Sequence, residues 1–225
     1  MIIKNIEYDG YTIREKEMSK GMDKKNLTRR IIGVLIGVIF MGFGISWLVP
    51  CGFGTDGYSA LNLAVSGRIG WTFGTWQATL NAVMLIFVLL FDKKLIGLGT
   101  LANMILVGYS CDFFTWIWNM VLPVDFFAPL WVRVAVAIPA LLIFVVAAAL
   151  YMDMGLGPSP YDALPFILHK RMSKFSFRIV RIAYDLAFIL VGYLFGAPFA
   201  VVTIMMAFLL GPAIEWVGKK IKPLL

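Results

Sequence analysis

Six apolar stretches, each long enough to cross a bilayer as a helix, limit what this chain can fold into. A hydrocarbon core about 30 Å thick is crossed by about 20 residues at about 1.5 Å per residue. The stretches lie near 31–50, 73–91, 96–117, 129–151, 179–196 and 198–217. With 60% hydrophobic and 15% charged residues, the chain lies far outside the composition of soluble domains. We therefore predict an all-α polytopic membrane protein and exclude a soluble enzyme.

The lysines and arginines predict how these spans are oriented. If the N-terminus is cytoplasmic, eighteen of the twenty basic residues lie on the inner side, and only Arg68 and Arg133 lie outside. Basic residues of membrane proteins concentrate on the cytoplasmic side of short loops. We expect six spans with both termini in the cytoplasm. The net charge of +7 then reflects topology in a lipid bilayer, and we expect no nucleic-acid partner.

Polar segments divide the chain into four parts. A polar tail covers 1–30, two three-helix units cover 31–122 and 123–218, and a short second tail covers 219–225. The first tail has no short apolar region before a cleavage site, so it does not resemble a signal peptide. We interpret it as a cytoplasmic extension close to anionic lipid, with a partner-binding arm as the alternative.

The two units carry the same motif. GFGTDGYSAL at 52–61 matches GLGPSPYDAL at 155–164, at an offset of 103 residues. Polar residues farther along also match at an offset of 103 or 104: Thr100 with Thr203, Asp112 with Glu215, Gln77 with Arg181, and Asn81 with Asp185. Since each unit has three spans, the second unit enters the bilayer from the opposite side. Such inverted repeats are typical of secondary transporters, which bind solutes at the repeat interface.

The doubled motif, with the runs 73–77, 96–104, 107–109 and 177–181, is similar to a known group of sequences. Over about residues 31–218 the chain resembles the YczE/YitT-type bacterial integral membrane proteins, and the YczE branch most closely. The resemblance implies a six-helix protein of the bacterial cytoplasmic membrane. It implies no substrate and no catalytic residue. The chain departs from the group at Gly57, where the first motif usually has proline.

Arg181 and Asp185 are ionisable residues within the predicted fifth span, and their spacing of four places them on one helix face. Ionisable groups in a span usually face a bundle interior or an aqueous cavity. The pair is either a structural ion pair or part of a site for a solute or ion. The aligned Gln77 and Asn81 favour a site, because they place neutral hydrogen-bonding groups at the equivalent positions.

Four further polar residues lie in the third and sixth spans. Asn103 and Thr203 lie deeper, where they either bond between helices or line the same cavity. Asp112 and Glu215 lie near span ends and are candidate gates, with solvated boundary carboxylates as the alternative.

The glycine motifs predict sharp changes of chain direction. Glycine permits backbone conformations that a side chain obstructs, and proline suits the first turn of a helix. The segments 52–66 and 155–169 are therefore either turns that end spans or short interfacial or re-entrant helices, whose first amides bind an anionic or polar group. The candidate residues are Gly52, Gly54, Asp56, Tyr58, Gly155, Gly157, Pro158, Pro160, Tyr161 and Asp162.

Taken together, these patterns favour a small secondary transporter of a polar, anionic or amphipathic solute. A membrane accessory protein that acts through a partner complex is the alternative. One histidine, two cysteines and the absence of GxSxG and HExxH argue against an intramembrane enzyme and a metal site. The glycine motif does not follow a strand, so no dinucleotide cofactor is expected. Gly33 and Gly37 form a small-residue face for packing within the chain or in a homodimer.

Overall fold

The computed structural model describes residues 24–172, 174–197 and 200–221. This part of the chain is helical and contains no strand. Its helices are α1 (Lys24–Cys51), α2 (Gly57–Ile69), α3 (Phe73–Asp92), α4 (Leu98–Val121), α5 (Leu130–Asp153), α6 (Pro160–Arg171), α7 (Phe177–Leu194) and α8 (Val201–Ile221), with a 3-10 turn at Lys93–Leu95. Most of both predicted tails, and Pro198 in the last predicted break, lie outside the described residues.

Four of the described helical segments are long and apolar enough to cross a membrane. They are Asn26–Cys51, Phe73–Leu95, Leu130–Asp153 and Val201–Ile221. The helices α4 and α7 occupy the other two predicted spans but are not in this group. In α7 the reason is its charge, because Arg178, Arg181 and Asp185 interrupt its apolar residues. The prediction of a helical membrane protein is confirmed, while the six-span arrangement remains a prediction.

Local sequence explains where the short helices begin. The Asp56 carboxylate accepts a hydrogen bond from the Ser59 amide at 3.0 Å, which caps α2. The Ser159 hydroxyl accepts one from the Asp162 amide at 3.0 Å and caps α6, with Pro160 as its first residue. Side-chain oxygens at this position satisfy amides that have no partner within the helix. Gly70, at a φ of 72°, ends α2.

The first helices of the two units, α1 and α5, pack against each other. Gly37 lies against Ala147 and Tyr151, and Gly44 lies against Phe144, so close that an added Cβ would be about 3 Å from each neighbour. Small residues allow helix backbones to approach in a membrane, where packing replaces the hydrophobic effect. The small-residue face predicted on α1 is therefore used within the chain.

The other helix contacts occur in pairs that relate the two units. Helix α1 packs on α4 as α5 packs on α8. The short helix α2 packs on α7 of the other unit, and the short helix α6 packs on α3. The exterior of this bundle is apolar, with well-exposed residues such as Leu90, Trp131 and Leu194. Side chains of this kind face lipid in a membrane protein.

Candidate functional site

Each glycine motif docks on the first turn of the last helix of the other unit. The Gly99 amide of α4 donates to the Leu156 carbonyl at 2.7 Å, and the Val202 amide of α8 donates to the Phe53 carbonyl at 3.0 Å. Gly99 is equivalent to Val202, and Phe53 to Leu156, at the repeat offset of 103 residues. The two bonds are therefore equivalent in the two units. The docking therefore ties the two units together twice, once through each motif.

Glycine is required at the docked positions because of space and backbone conformation. Gly54 has a φ of 92° and faces the Thr203 hydroxyl, while Gly157 has a φ of 98° and faces the Thr100 hydroxyl. Gly52 and Gly155 also have positive φ values, of 71° and 63°. The motifs therefore make the sharp turns that the sequence predicts.

The largest group of predicted site residues meets where the two short helices approach each other. The Arg181 guanidinium of α7 donates to Asp185 on its own helix at 3.1 Å and to Asp162 of α6 at 2.7 Å. The Tyr161 hydroxyl donates to the other oxygen of Asp185. The Arg181 side chain is 23% exposed and the Asp185 side chain 13%. One guanidinium thus holds two carboxylates from different helices.

Asp56 adds a third carboxylate to this group. It precedes Gly57, which packs against α7 so closely that an added Cβ would lie 3.3 Å from the Asp185 carbonyl oxygen. One of its oxygens caps α2 and the other is buried with no hydrogen-bond partner. We call Asp56, Asp162, Arg181 and Asp185 the charged cluster.

Aromatic rings fill the space beside the charged cluster. Tyr58 and Tyr161, which match in the two motifs, stack across the units with their ring centroids 4.3 Å apart. We call this pair the tyrosine stack. Tyr184 and Phe188 of α7 pack on Tyr161 at 5.0 Å and 4.9 Å. The Arg181 guanidinium lies 5.1 Å from the Tyr161 ring centroid, on its face.

Gln77 and Asn81 are buried on α3 and hold polar atoms without partners. Asn81 is fully buried and neither polar atom of its side chain makes a hydrogen bond, and Gln77 Oε1 has none either. Met84, one turn farther along the same buried stripe, packs against the tyrosine stack. Asn62, fully buried one turn after Tyr58, also has an unpartnered oxygen. We call Asn62, Gln77 and Asn81 the neutral cluster.

The remaining predicted residues lie elsewhere. Asn103 faces Met41 between α4 and α1, and Thr203 faces Gly54. Asp112 accepts a hydrogen bond from the Gly74 amide at 2.9 Å, whereas Glu215 is well exposed and pairs with Lys219 of its own helix at 2.6 Å. The two predicted gate carboxylates therefore occupy unlike environments.

Several residues that complete the site were not predicted from the sequence. Asn62, Ser159, Tyr184 and Phe188 contact or cap the groups named above. Tyr184 and Phe188 could have been predicted from their spacing, because Tyr184 lies three residues after Arg181 and Phe188 lies three residues after Asp185 on α7. Among the described residues no three His, Cys, Asp or Glu side chains are arranged to hold a metal ion.

An apolar groove of about 330 Å³ lies apart from this site, between α1 and α5. Its wall is formed by residues such as Ile36, Phe40 and Leu150. The groove is open and has almost no polar surface, as expected of a face that contacts lipid acyl chains.

Comparison with known proteins agrees with the membrane architecture. Over 84% of its length the chain is 25% identical to the uncharacterized membrane protein YczE of Bacillus subtilis, of which it covers 85%. It is 25% identical to the uncharacterized protein YyaS of the same organism, over 76% of the chain and 83% of that protein. An uncharacterized protein of Haemophilus influenzae is 26% identical over 81% of the chain and 80% of its own length.

No solved structure matches the chain. The YczE relative confirms the resemblance predicted from the doubled motifs. A family model described as a family of unknown function, DUF6198, matches residues 28–219. The match covers almost all of the helical bundle, and the chain belongs to this family.

Proposed function

We propose that the chain is a small secondary carrier in which α1, α3, α4, α5, α7 and α8 cross the membrane as two inverted repeats. The paired helix contacts support this arrangement, as do the two corresponding docking bonds at Gly99 and Val202. In this arrangement α2 and α6 enter from opposite sides and meet near the middle of the bilayer. Carriers of this architecture bind solute near the midplane, at the interface of the repeats.

The charged cluster is the proposed solute site. The observation that carries the proposal is the Arg181 guanidinium, which joins Asp162 of a short helix to Asp185 of a long one beside the tyrosine stack. Ionisable groups inside a membrane bundle are costly and usually mark a functional pathway. Since a fold alone does not establish function, the proposal rests on this group of residues.

The inverted arrangement predicts that equivalent residues lie on opposite sides of the membrane. Gly67 and Lys170 correspond at the offset of 103 residues, and both are exposed. In intact cells we expect a membrane-impermeant maleimide to label Gly67→Cys, and to label Lys170→Cys only after permeabilisation. The native Cys51 and Cys111 are buried and free, so the unsubstituted protein is the background control. Labelling of both positions from one side would contradict the inverted repeats.

The carrier proposal predicts that a solute stabilises the native protein. We expect a compound from a screen of metabolites, lipids, drugs and ions to raise the unfolding temperature of the full chain in detergent. A ligand at 100 times its dissociation constant adds about 2.7 kcal/mol to the free energy of unfolding. Asp185→Asn should abolish this shift, because Asp185 accepts from both Arg181 and Tyr161.

Glu215→Gln is the matched control for this screen, because Glu215 is an exposed carboxylate at the far end of α8. It should leave the ligand-induced shift unchanged. If no compound shifts the unfolding temperature and Asp185→Asn only lowers stability, the charged cluster is structural. The accessory function would then replace the carrier.

A further inference from the structure

We infer that the solute of this site is an organic cation that bears an ammonium group. The inference rests on the proposed carrier function and names the class of solute that the charged cluster and the neutral cluster recognise together. The sequence alone also allows an anionic solute, because the first amides of short helices attract negative groups.

The charges of the site favour a cation. Asp56 precedes Gly57, which packs on α7 at Asp185, and the ion pairs made by Asp56, Asp162 and Asp185 in the described part of the chain involve Arg181 alone. Three carboxyl groups therefore lie near one guanidinium, which pairs with two of them. Buried charges are stable when they are paired. A positively charged solute supplies the missing partner, whereas an anion adds to the imbalance.

The unpartnered polar atoms include acceptors that suit a hydrogen-bond donor. Asp56 Oδ2 and the side-chain oxygens of the neutral cluster are buried and accept no hydrogen bond, while Asn81 Nδ2 and the hydroxyls of Tyr58 and Tyr184 are buried and donate none. A carboxylate only accepts, and an amide oxygen accepts up to two bonds. A buried acceptor without a donor destabilises the folded protein. An ammonium group carries the donors that these oxygens lack.

One amide in the first turn of each short helix is already occupied. At α2 the Ser59 amide donates to Asp56, and at α6 the Asp162 amide donates to Ser159. The acidic side chains of Asp56 and Asp162 also lie at these two helix starts, where they face the positive ends of the helix dipoles. The protein's own acidic groups therefore already provide negative charge at both helix starts, where an anionic ligand would be repelled.

The aromatic rings favour an organic cation. The tyrosine stack, Tyr184 and Phe188 place ring faces and edges beside the charged cluster, and the Arg181 guanidinium already lies over the Tyr161 ring. Cations bind to the faces of such rings, and ammonium compounds are common ligands of aromatic sites. The carboxylates, by contrast, are not arranged as a set of metal ligands in the described residues.

The test compares compounds of similar size and opposite charge. The probes are benzylammonium and butylammonium chloride, with sodium benzoate, sodium butyrate and benzyl alcohol at equal ionic strength. We expect ammonium probes to raise the unfolding temperature of the full chain with saturation. Asp56→Asn should weaken their binding at least tenfold. Asp125→Asn, which removes an exposed loop carboxylate, should change it less than twofold.

Asn81→Leu is a second test of the inference, which can be used if Asp56→Asn does not fold. It removes unpartnered buried polar atoms without changing charge, so the unliganded protein should unfold at a higher temperature. If Asn81 binds the ammonium group, the same variant should bind the probes at least fivefold more weakly. A higher unfolding temperature with unchanged probe binding would show that the neutral cluster does not bind the ammonium group. This result would overturn the inference for this cluster.

The outcomes separate the solute class from the carrier function. Binding of carboxylate or neutral compounds in this panel or in the screen, without binding of any ammonium probe, overturns the cation inference and leaves the carrier proposal standing. Failure of every compound in both experiments overturns both.

Discussion

Arg181→Gln is expected to lower the free energy of unfolding by about 3 kcal/mol, the lower part of the range for breaking a largely buried ion pair. The substitution leaves Asp162 and Asp185 facing each other without their shared cation. It also removes the guanidinium from the face of the Tyr161 ring. The two short helices should loosen at this point, and the measurement is reversible unfolding of the full chain in detergent or bicelles.

A double variant tests whether unpaired charge causes this loss. In Arg181→Gln with Asp162→Asn one of the two uncompensated carboxylates is removed, so stability should recover by about 1 kcal/mol or more. Lys219→Gln serves as the control, because Lys219 and Glu215 form an exposed pair on one helix. Such pairs contribute about 0–1 kcal/mol. A similar loss in the Lys219 and Arg181 variants would show that the charged cluster holds no buried pair.

Features that depend on neighbouring residues were predictable from the sequence. The pairing of Arg181 with Asp185 follows from a spacing of four in a helix, and it is present at 3.1 Å. The helix start at Pro160 and the turns at Gly54 and Gly157 follow from backbone preferences, and they are also present. Local rules were sufficient here because each feature is made within one or two turns of the chain.

Features that join distant segments were not predictable in this way. Asp162 lies 19 residues from Arg181, and the tyrosine stack joins residues of different units. The repeat identified Tyr58 and Tyr161 as equivalent, but equivalence alone does not bring two side chains into contact. Their contact requires α2 and α6 to meet at the centre of the bundle.

Equivalent positions in the repeat also differ in ways that the alignment does not show. Asp112 and Glu215 align, yet of the two only Asp112 accepts a hydrogen bond from a backbone amide, that of Gly74. Gly74 and Gly108 bring α3 and α4 close together, whereas Gly211, the equivalent of Gly108, has no neighbour near its added Cβ. The close helix approach of the first unit therefore has no counterpart at this point of the second. The environment of an aligned carboxylate depends on that approach.

Gly54→Ala is expected to lower the free energy of unfolding by about 3 kcal/mol. A side chain at the φ of 92° costs about 1–2 kcal/mol. The added Cβ would overlap the Thr203 hydroxyl and lie 3.0 Å from Ala200 Cβ, and overpacking of this kind costs about 1–3 kcal/mol. Because the Phe53 carbonyl of the same loop also accepts a hydrogen bond from the Val202 amide of α8, the variant should weaken the contact between the units.

Gly67→Ala is the matched control, since an added Cβ at this helical position meets nothing within 4 Å. It should raise the free energy of unfolding by up to about 1 kcal/mol, because alanine favours a helix over glycine. Thr203→Ala added to Gly54→Ala should restore part of the lost stability, since it removes the overlapping hydroxyl but not the strained φ. If Gly54→Ala is as stable as Gly67→Ala, the motif does not dock on α8, and the repeated docking bonds no longer support two interlocked units.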